Sequence, residues 1–214
     1  MNTINVIGLG VGNFDYFSKA GENRIKTSDI IIGGERQLED ISTIIHSNCK
    51  VYTLKKLSDM LDFIKLNLDK NISIIVSGDT GFYSLLKYIK KNLPNENIEV
   101  ITNISSFQYL FAKICDTWED FTLLSVHGRE NDIVKALENS KRGLVLLTDS
   151  KNNPYNIAKI LVDSGYQNTK IIVGERLSYS DEKITRFYAK DYKSYQRDYQ
   201  MNVVILEKES QWDI

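Results

Sequence analysis

Apolar residues in this chain come in short runs that stop at glycine or small polar residues, and most runs are followed by apolar positions at helical spacing. Residues 4–7 form the first run and enter Gly8-Leu9-Gly10-Val11-Gly12. The helix after it is expected to have Ser18 as its N-cap and to contain Arg24 and Ile25. Residues 30–32 end in Gly33-Gly34, and Glu35 opens a helix with acids in its first turn, where the helix dipole favours them. Residues 51–54 predict a third strand, and Leu57, Met60, Leu61, Ile64 and Leu68 predict an amphipathic helix. Ile74-Ile75-Val76 stops at Ser77-Gly78-Asp79-Thr80-Gly81. Phe82, Leu85, Leu86, Ile89 and Leu93 then predict a helix that Asp79 or Thr80 can cap. Residues 98–101 lead through Thr102-Asn103-Ile104-Ser105-Ser106 to a helix marked by Phe107, Leu110, Phe111 and Ile114.

The polar stretch Asp116-Thr117-Trp118-Glu119-Asp120 reads as a boundary, giving units 1–116 and 117–214. A second series comes after it. Strands are expected at 121–126, 144–147 and 170–173, with a helix carrying Ile133, Val134 and Leu137 and another opened by Asn153-Pro154. After Gly174-Glu175-Arg176 the helical pattern stops. Residues 184–188 and 202–206 read as antiparallel strands joined by a Tyr- and Lys-rich connection, and the last few residues are expected to fray. The fold class is therefore α/β: two α/β domains, the first with a mainly parallel sheet and the second with a mixed one.

Composition narrows the function classes. With 214 residues, 42% of them hydrophobic and 26% charged, the chain can bury substantial cores. Its net charge of -1 argues against nucleic-acid binding through a global basic field. No apolar run reaches membrane-spanning length, and no basic-then-apolar leader precedes the first strand. Cys49 and Cys115, the only cysteines, lack metal-ligand spacing and suit a reducing cytoplasm. No metal site is expected.

The motifs of common catalytic folds are absent: there is no Walker A sequence, no HExxH and no GxSxG. The Gly8-Leu9-Gly10-Val11-Gly12 run falls short of a dinucleotide fingerprint, because Asn13 stands where the third glycine belongs. What remains is a set of small-residue loops at the carboxyl ends of buried strands, where open α/β sheets hold ligands. By itself, Ser77-Gly78-Asp79-Thr80-Gly81 is equally a good strand-to-helix turn.

The order of segments resembles the tetrapyrrole (corrin/porphyrin) methylase family. The matching segments are Val6-Ile7-Gly8-Leu9-Gly10-Val11-Gly12, Ser77-Gly78-Asp79-Thr80-Gly81-Phe82 and Val100-Ile101-Thr102-Asn103-Ile104-Ser105-Ser106. Ile31-Ile32-Gly33-Gly34-Glu35-Arg36-Gln37-Leu38, Leu124-Ser125-Val126-His127-Gly128-Arg129 and Val173-Gly174-Glu175-Arg176-Leu177-Ser178-Tyr179 resemble its cobalt-precorrin-7 C5-methylating branch. Three positions depart from the family pattern: Val11 and Thr80 stand where proline is usual, and Thr102-Asn103 where Pro-Gly is usual.

The resemblance implies S-adenosyl-L-methionine in a trough between two domains. By position, Val11, Gly78, Asp79, Phe82, Ser105 and Ser106 would line the cofactor site from the first domain, and Thr148 and Leu177 from the second. His127, Arg129 and Arg36 are the substrate-side candidates, because a tetrapyrrole carries carboxylates and arginine binds these bidentately. Each also has a plain structural role open to it: a strand-end cap for His127, a solvated charge for Arg129, a helix pair with Glu39 or Asp40 for Arg36. The tyrosines of 188–199 either cover a flat macrocycle or serve as half-buried packing. The resemblance further implies a homodimer and, since the sequence stops at Ile214, a separate C15-methylating, decarboxylating partner protein. Two other readings remain: the same fold methylating a protein or RNA, and a ligand-binding relative without catalysis.

Overall fold

The computed structural model describes residues 3–209. The expected frayed tail lies outside them, apart from its first residues. Contacts within the chain divide it into two units, Met1–Ser106 and Phe107–Ile214.

The first unit alternates strand and helix: β1 Ile4–Gly8, α1 Lys19–Ile25, β2 Ile30–Gly33, α2 Glu35–Asp40, β3 Lys50–Thr53, α3 Leu57–Lys65, β4 Ile72–Val76, α4 Leu86–Asn92 and β5 Ile98–Ile101. Its sheet has the order β3-β2-β4-β1-β5, with every pairing parallel. Parallel strands covered on both faces need continuous apolar runs, and β1 and β4 are buried at every position. Met60, Leu61 and Ile64 of α3 pack on one face with Val6, Ile30, Ile32 and Ile74. Ile7, Ile31 and Ile75 face the other side with Ile25 and Ile41. Ser18 caps α1 as expected, its hydroxyl accepting from Gly21 N at 3.1 Å. Gln37 reaches back to the Gly34 amide at the start of α2.

Two helices differ from the sequence reading. α3 ends at Lys65, leaving Leu68 beyond it. α4 begins at Leu86 and not at Phe82. One Asp79 oxygen takes the amides of Gly81 and Phe82, and Tyr83 adopts a φ of 53°, so residues 79–85 form turns. A bulky residue at positive φ cannot continue a right-handed helix.

α5 (Ser106–Lys113) starts on the last residue of the first unit and otherwise belongs to the second, where it leads to β6 Phe121–Ser125, α6 Ile133–Asn139, β7 Gly143–Leu147, α7 Pro154–Asp163, β8 Lys170–Glu175, β9 Lys183–Tyr188 and β10 Asn202–Glu207. The expected boundary at 116 shifts to Ser106, because α5 packs with residues on its C-terminal side. Phe111 meets the Phe121 ring at 5.1 Å, Phe107 meets Trp118 at 5.4 Å, and Lys113 pairs with Glu182 at 3.3 Å. The sheet order is β6-β7-β10-β8-β9. β10 enters between β7 and β8, antiparallel to both, while β9 pairs antiparallel with the other side of β8. The two last strands flank β8, each antiparallel to it, so they run in the same direction and do not pair with each other, unlike the antiparallel pair read from the sequence. The connection between them is a 3-10 segment, Ala189–Tyr195, whose Tyr192 and Tyr195 pack on the core. Tyr195 stacks on Phe187 with ring centroids 4.0 Å apart and Tyr199 also packs on this core, whereas Tyr188 is exposed.

Candidate functional site

In the first unit, the loops after β1, β4 and β5 leave adjacent strands at their carboxyl ends. Gly10 and Gly78 form an isolated bridge, with Gly10 N donating to Gly78 O at 3.1 Å and Gly78 N to Gly10 O at 2.9 Å. Both have positive φ, 76° and 64°, which a side chain disfavours. A Cβ on Gly10 would stand 2.9 Å from the Asn103 side chain, and one on Gly8 would stand 2.7 Å from the Gly78 carbonyl oxygen. Glycine is therefore imposed at Gly8 by close approach of the Gly78 backbone, at Gly10 by positive φ and the Asn103 side chain, and at Gly78 by positive φ.

The Asp79 carboxylate is built into this cradle. Its Oδ2 accepts from Gly81 N at 2.7 Å and Phe82 N at 3.0 Å, and its Oδ1 accepts from Thr102 Oγ1 at 2.8 Å. Asn103 donates from Nδ2 to Gly8 O at 3.2 Å, and its Oδ1 accepts from Ile104 N. Thr80 and Ser105 are buried, and Val11 is buried as well. Phe82 and Ser106 are partly exposed. The structure thus gathers Val11, Gly78, Asp79 and Ser105 around joined loops. Arg36 is tied to the same region: it pairs with Asp40 at 3.2 Å and donates to Ser77 Oγ at 2.7 Å, and Gln37 donates to that hydroxyl at 2.8 Å. The Asp40 pairing was legible from helical spacing; the reach to Ser77 was not.

In the second unit, Leu177 is buried between two residues with left-handed backbone, Arg176 at φ 46° and Ser178 at φ 71°. Such strain persists only where surroundings hold it. Here Arg176 pairs with Asp181 at 3.0 Å, the Ser178 amide donates to Glu182 at 2.7 Å, and the Leu177 side chain occupies the space beside Gly174. Glu175, only 3% exposed, is held by Arg197, whose Nη1 donates to its Oε1 at 2.9 Å and whose Nη2 donates to its Oε2. Thr148 sends its hydroxyl to Asn202 Oδ1 at 2.8 Å, and its carbonyl accepts from His127 Nδ1 at 2.8 Å. His127 is exposed, and this bond ties its ring to the end of β7, with Nε2 as the other ring nitrogen. Arg129 is exposed on the same loop.

Asp149 fixes that loop. Its carboxylate accepts from Gly128 N at 2.8 Å and Asn152 N at 2.6 Å. These two amides, Gly128 first, hold its pKa below the usual carboxylate value. A lowered folded-state pKa stabilises the loop in full above the unfolded value and loses that effect as pH falls through the folded one. Gly128 amide protection is therefore expected to hold at neutral pH and to fall only below about pH 4. In Asp149→Ala it should be lost at every pH. Hydrogen exchange at Gly128 checks this, and unchanged protection in the variant would separate Asp149 from the loop.

A cleft of about 610 Å³ lined by Arg142, Lys170, Lys190 and Lys208 lies at the opposite end of the second sheet from Thr148. Its charges are largely mutually satisfied: Arg142 pairs with Asp116 at 2.5 Å and Glu207 at 2.7 Å, and Lys170 pairs with Glu207 at 3.1 Å. Among the described residues no His, Cys, Asp and Glu cluster fits a metal ion. No helix there is long and apolar enough to cross a membrane.

Known proteins share this sequence pattern and fold. The family described as Tetrapyrrole (Corrin/Porphyrin) Methylases matches residues 3–192. The chain belongs to this family. It is 32% identical over 190 residues to the probable cobalt-precorrin-7 C(5)-methyltransferase of Methanocaldococcus jannaschii, covering 85% of this chain and 87% of that one. It is 27% identical over 204 residues to the cobalt-precorrin-7 C(5)-methyltransferase of Salmonella typhimurium, covering 95% and 98%. The fold matches the solved cobalamin biosynthesis precorrin-6Y methylase of Archaeoglobus fulgidus with a TM-score of 0.75 at 18% identity, covering 97% and 99% of the two chains. Thr102 and Asn103, which depart from the family pattern, join the β5 loop to the β4 and β1 loops, a part that sequence reasoning underrated. Their signal was a hydroxyl and an amide placed directly after β5.

Proposed function

We propose that this methylase-family chain is an S-adenosyl-L-methionine-dependent enzyme that methylates C5 of cobalt-precorrin-7 in cobalamin synthesis. The observation that supports the cofactor part of this reading is the joining of three loops at Gly8, Gly10 and Gly78; the substrate and its C5 position rest on the likeness to the named relatives. Such a cradle fits a cofactor held by backbone, and the one carboxylate in it, Asp79, suits a cationic amino-acid end. The proposed cofactor residues are Val11, Gly78, Asp79, Phe82, Ser105 and Ser106 in the first unit, with Thr148 and Leu177 in the second.

When bound, the cofactor supplies an activated methyl group on a sulfonium. The protein's own work is then binding, orientation and exclusion of water. Glycine backbone would let the ligand approach closely, and Asp79 would hold its ammonium. The electron-rich acceptor carbon needs no covalent nucleophile. A homodimer, a cytoplasmic location and a separate C15-methylating partner belong to the same reading.

The test is incubation with cobalt-precorrin-7 and S-adenosylmethionine, then mass spectrometry and localisation of the new methyl. Transfer to protein or ribosomal RNA with none to the corrinoid would favour the alternative acceptor. Cofactor binding without any transfer would favour a non-catalytic relative.

His127, Arg129 and Arg36 are the proposed substrate-side residues. A charge-assisted bidentate contact contributes about 1.5–3 kcal/mol, so Arg129→Ala is expected to weaken tetrapyrrole binding roughly 10- to 100-fold with cofactor affinity nearly unchanged. Arg129→Lys should recover part of the loss, since it keeps the charge without the fork. Titration of both ligands decides the point: equal tetrapyrrole affinity in all three proteins makes Arg129 a surface charge.

A further inference from the structure

β1 lies between β4 and β5 in the sheet, so a bond from the loop after β5 to the loop after β4 must cross the carboxyl end of β1. The Thr102 hydroxyl makes that bond, donating to Asp79 Oδ1 at 2.8 Å. The neighbouring Asn103 ties the β5 loop to Gly8 O at 3.2 Å, and the Gly10–Gly78 bridge ties the β1 loop to the β4 loop. The three loops thus close into a ring whose members are bonded in turn.

The two oxygens of a carboxylate offer about four acceptor positions. In Asp79 the Gly81 and Phe82 amides share Oδ2, and Thr102 takes one position on Oδ1. Oδ1 is the oxygen with capacity left for a ligand, and the Thr102 hydroxyl sets its direction. Asp79 is partly exposed and Thr102 exposed, so the bond sits on the ligand side of the loops and contributes little to the core.

We infer that Thr102 is a positioning residue that aims Asp79 Oδ1 at the ammonium of the cofactor's amino-acid end. This rests on the reading of Asp79 as a cofactor residue. It concerns one end of the ligand, and that makes it separable from general support of the loops. S-adenosylhomocysteine carries the amino-acid end; 5′-methylthioadenosine lacks it and keeps the nucleoside.

The experiment titrates both compounds into wild type, Thr102→Val, Thr102→Ser, Asp79→Ala and the Thr102→Val/Asp79→Ala double variant by calorimetry, with thermal melts in parallel. Thr102→Val removes the hydroxyl at nearly constant shape and should weaken S-adenosylhomocysteine roughly 3- to 10-fold, the range of one lost hydrogen bond. It should leave methylthioadenosine affinity and the melting temperature unchanged. Thr102→Ser should restore wild-type affinity to within about twofold, since the donor returns. In the Asp79→Ala background the Thr102→Val effect should vanish, because the two residues act as one unit. Equal weakening of both ligands, or an undiminished effect without Asp79, would overturn the inference and make Thr102 a loop support. Wild-type binding of S-adenosylhomocysteine with no loss in Thr102→Val would overturn it while leaving the proposed function standing. A wild type that binds neither compound would remove the cofactor assignment itself.

Discussion

Gly8→Ala is expected to reduce S-adenosylmethionine affinity at least about 100-fold while the first unit stays folded. Gly8 closes β1, a central strand, and its absent Cβ would stand 2.7 Å from Gly78 O and 3.1 Å from both the nitrogen and the Cβ of Asn103. Two of these three atoms are backbone, so rotation of a side chain does not relieve the clash. The Gly78 oxygen also accepts the bond from Gly10 N, and pushing it away opens the bridge between the β1 and β4 loops. Overpacking of this kind costs about 1–3 kcal/mol, within the usual stability of a domain. Binding should suffer more than folding, because a cofactor held by backbone depends on loop positions to within about 0.5 Å. Calorimetric titration with circular dichroism on the same sample separates the two effects. Wild-type affinity in a folded variant would move the cofactor away from this cradle.

The largest effect on stability is expected at Gly143→Ala in the second unit. A Cβ there would lie 1.9 Å from the Leu206 carbonyl oxygen, 3.0 Å from its carbon and 3.0 Å from the Phe121 ring. Gly143 opens β7, paired with Phe121 on β6 and with Glu207 on β10. Relief requires β10 to move away from β7, and β10 is the strand that joins the two halves of this sheet. Leu144, Leu146, Val204 and Leu206 share one buried cluster, so separation at the sheet end also loosens the core. The expected cost is about 3 kcal/mol or more, among the large single-residue effects. Urea denaturation should show a lowered midpoint, with hydrogen exchange losing protection in β7 and β10 and keeping it in β1 and β4. An unchanged midpoint would mean the strand ends accommodate the methyl group.

The sequence by itself determined the alternation of elements and the character of both sheets. A strand buried on both faces must be apolar throughout, as residues 72–76 nearly are, and a helix on one face must repeat near every third or fourth position, as Leu57, Met60, Leu61 and Ile64 do. Asn153-Pro154 and Ser18 marked their helix starts because capping uses neighbouring residues only. The glycine loops were likewise visible, as was the family they resemble.

Tertiary structure alone decided the rest. The apolar spacing from Phe82 onward promised a helix four residues too early, because Tyr83 stands at a φ of 53°, which no right-handed helix can pass through. Insertion of β10 between β7 and β8 has no local signature, since its side chains alternate identically in either neighbourhood. α5 joined the second unit through aromatic contacts with Trp118, inside the polar stretch at 116–120, and with Phe121 just beyond it. Thr102 meets Asp79, Asn103 meets Gly8 and Arg36 meets Ser77 for one common reason. Each bond joins segments at the ends of strands that lie close in the sheet and far apart in the chain. Strand order creates those encounters, and strand order comes from how whole faces are buried, which no local stretch of residues encodes.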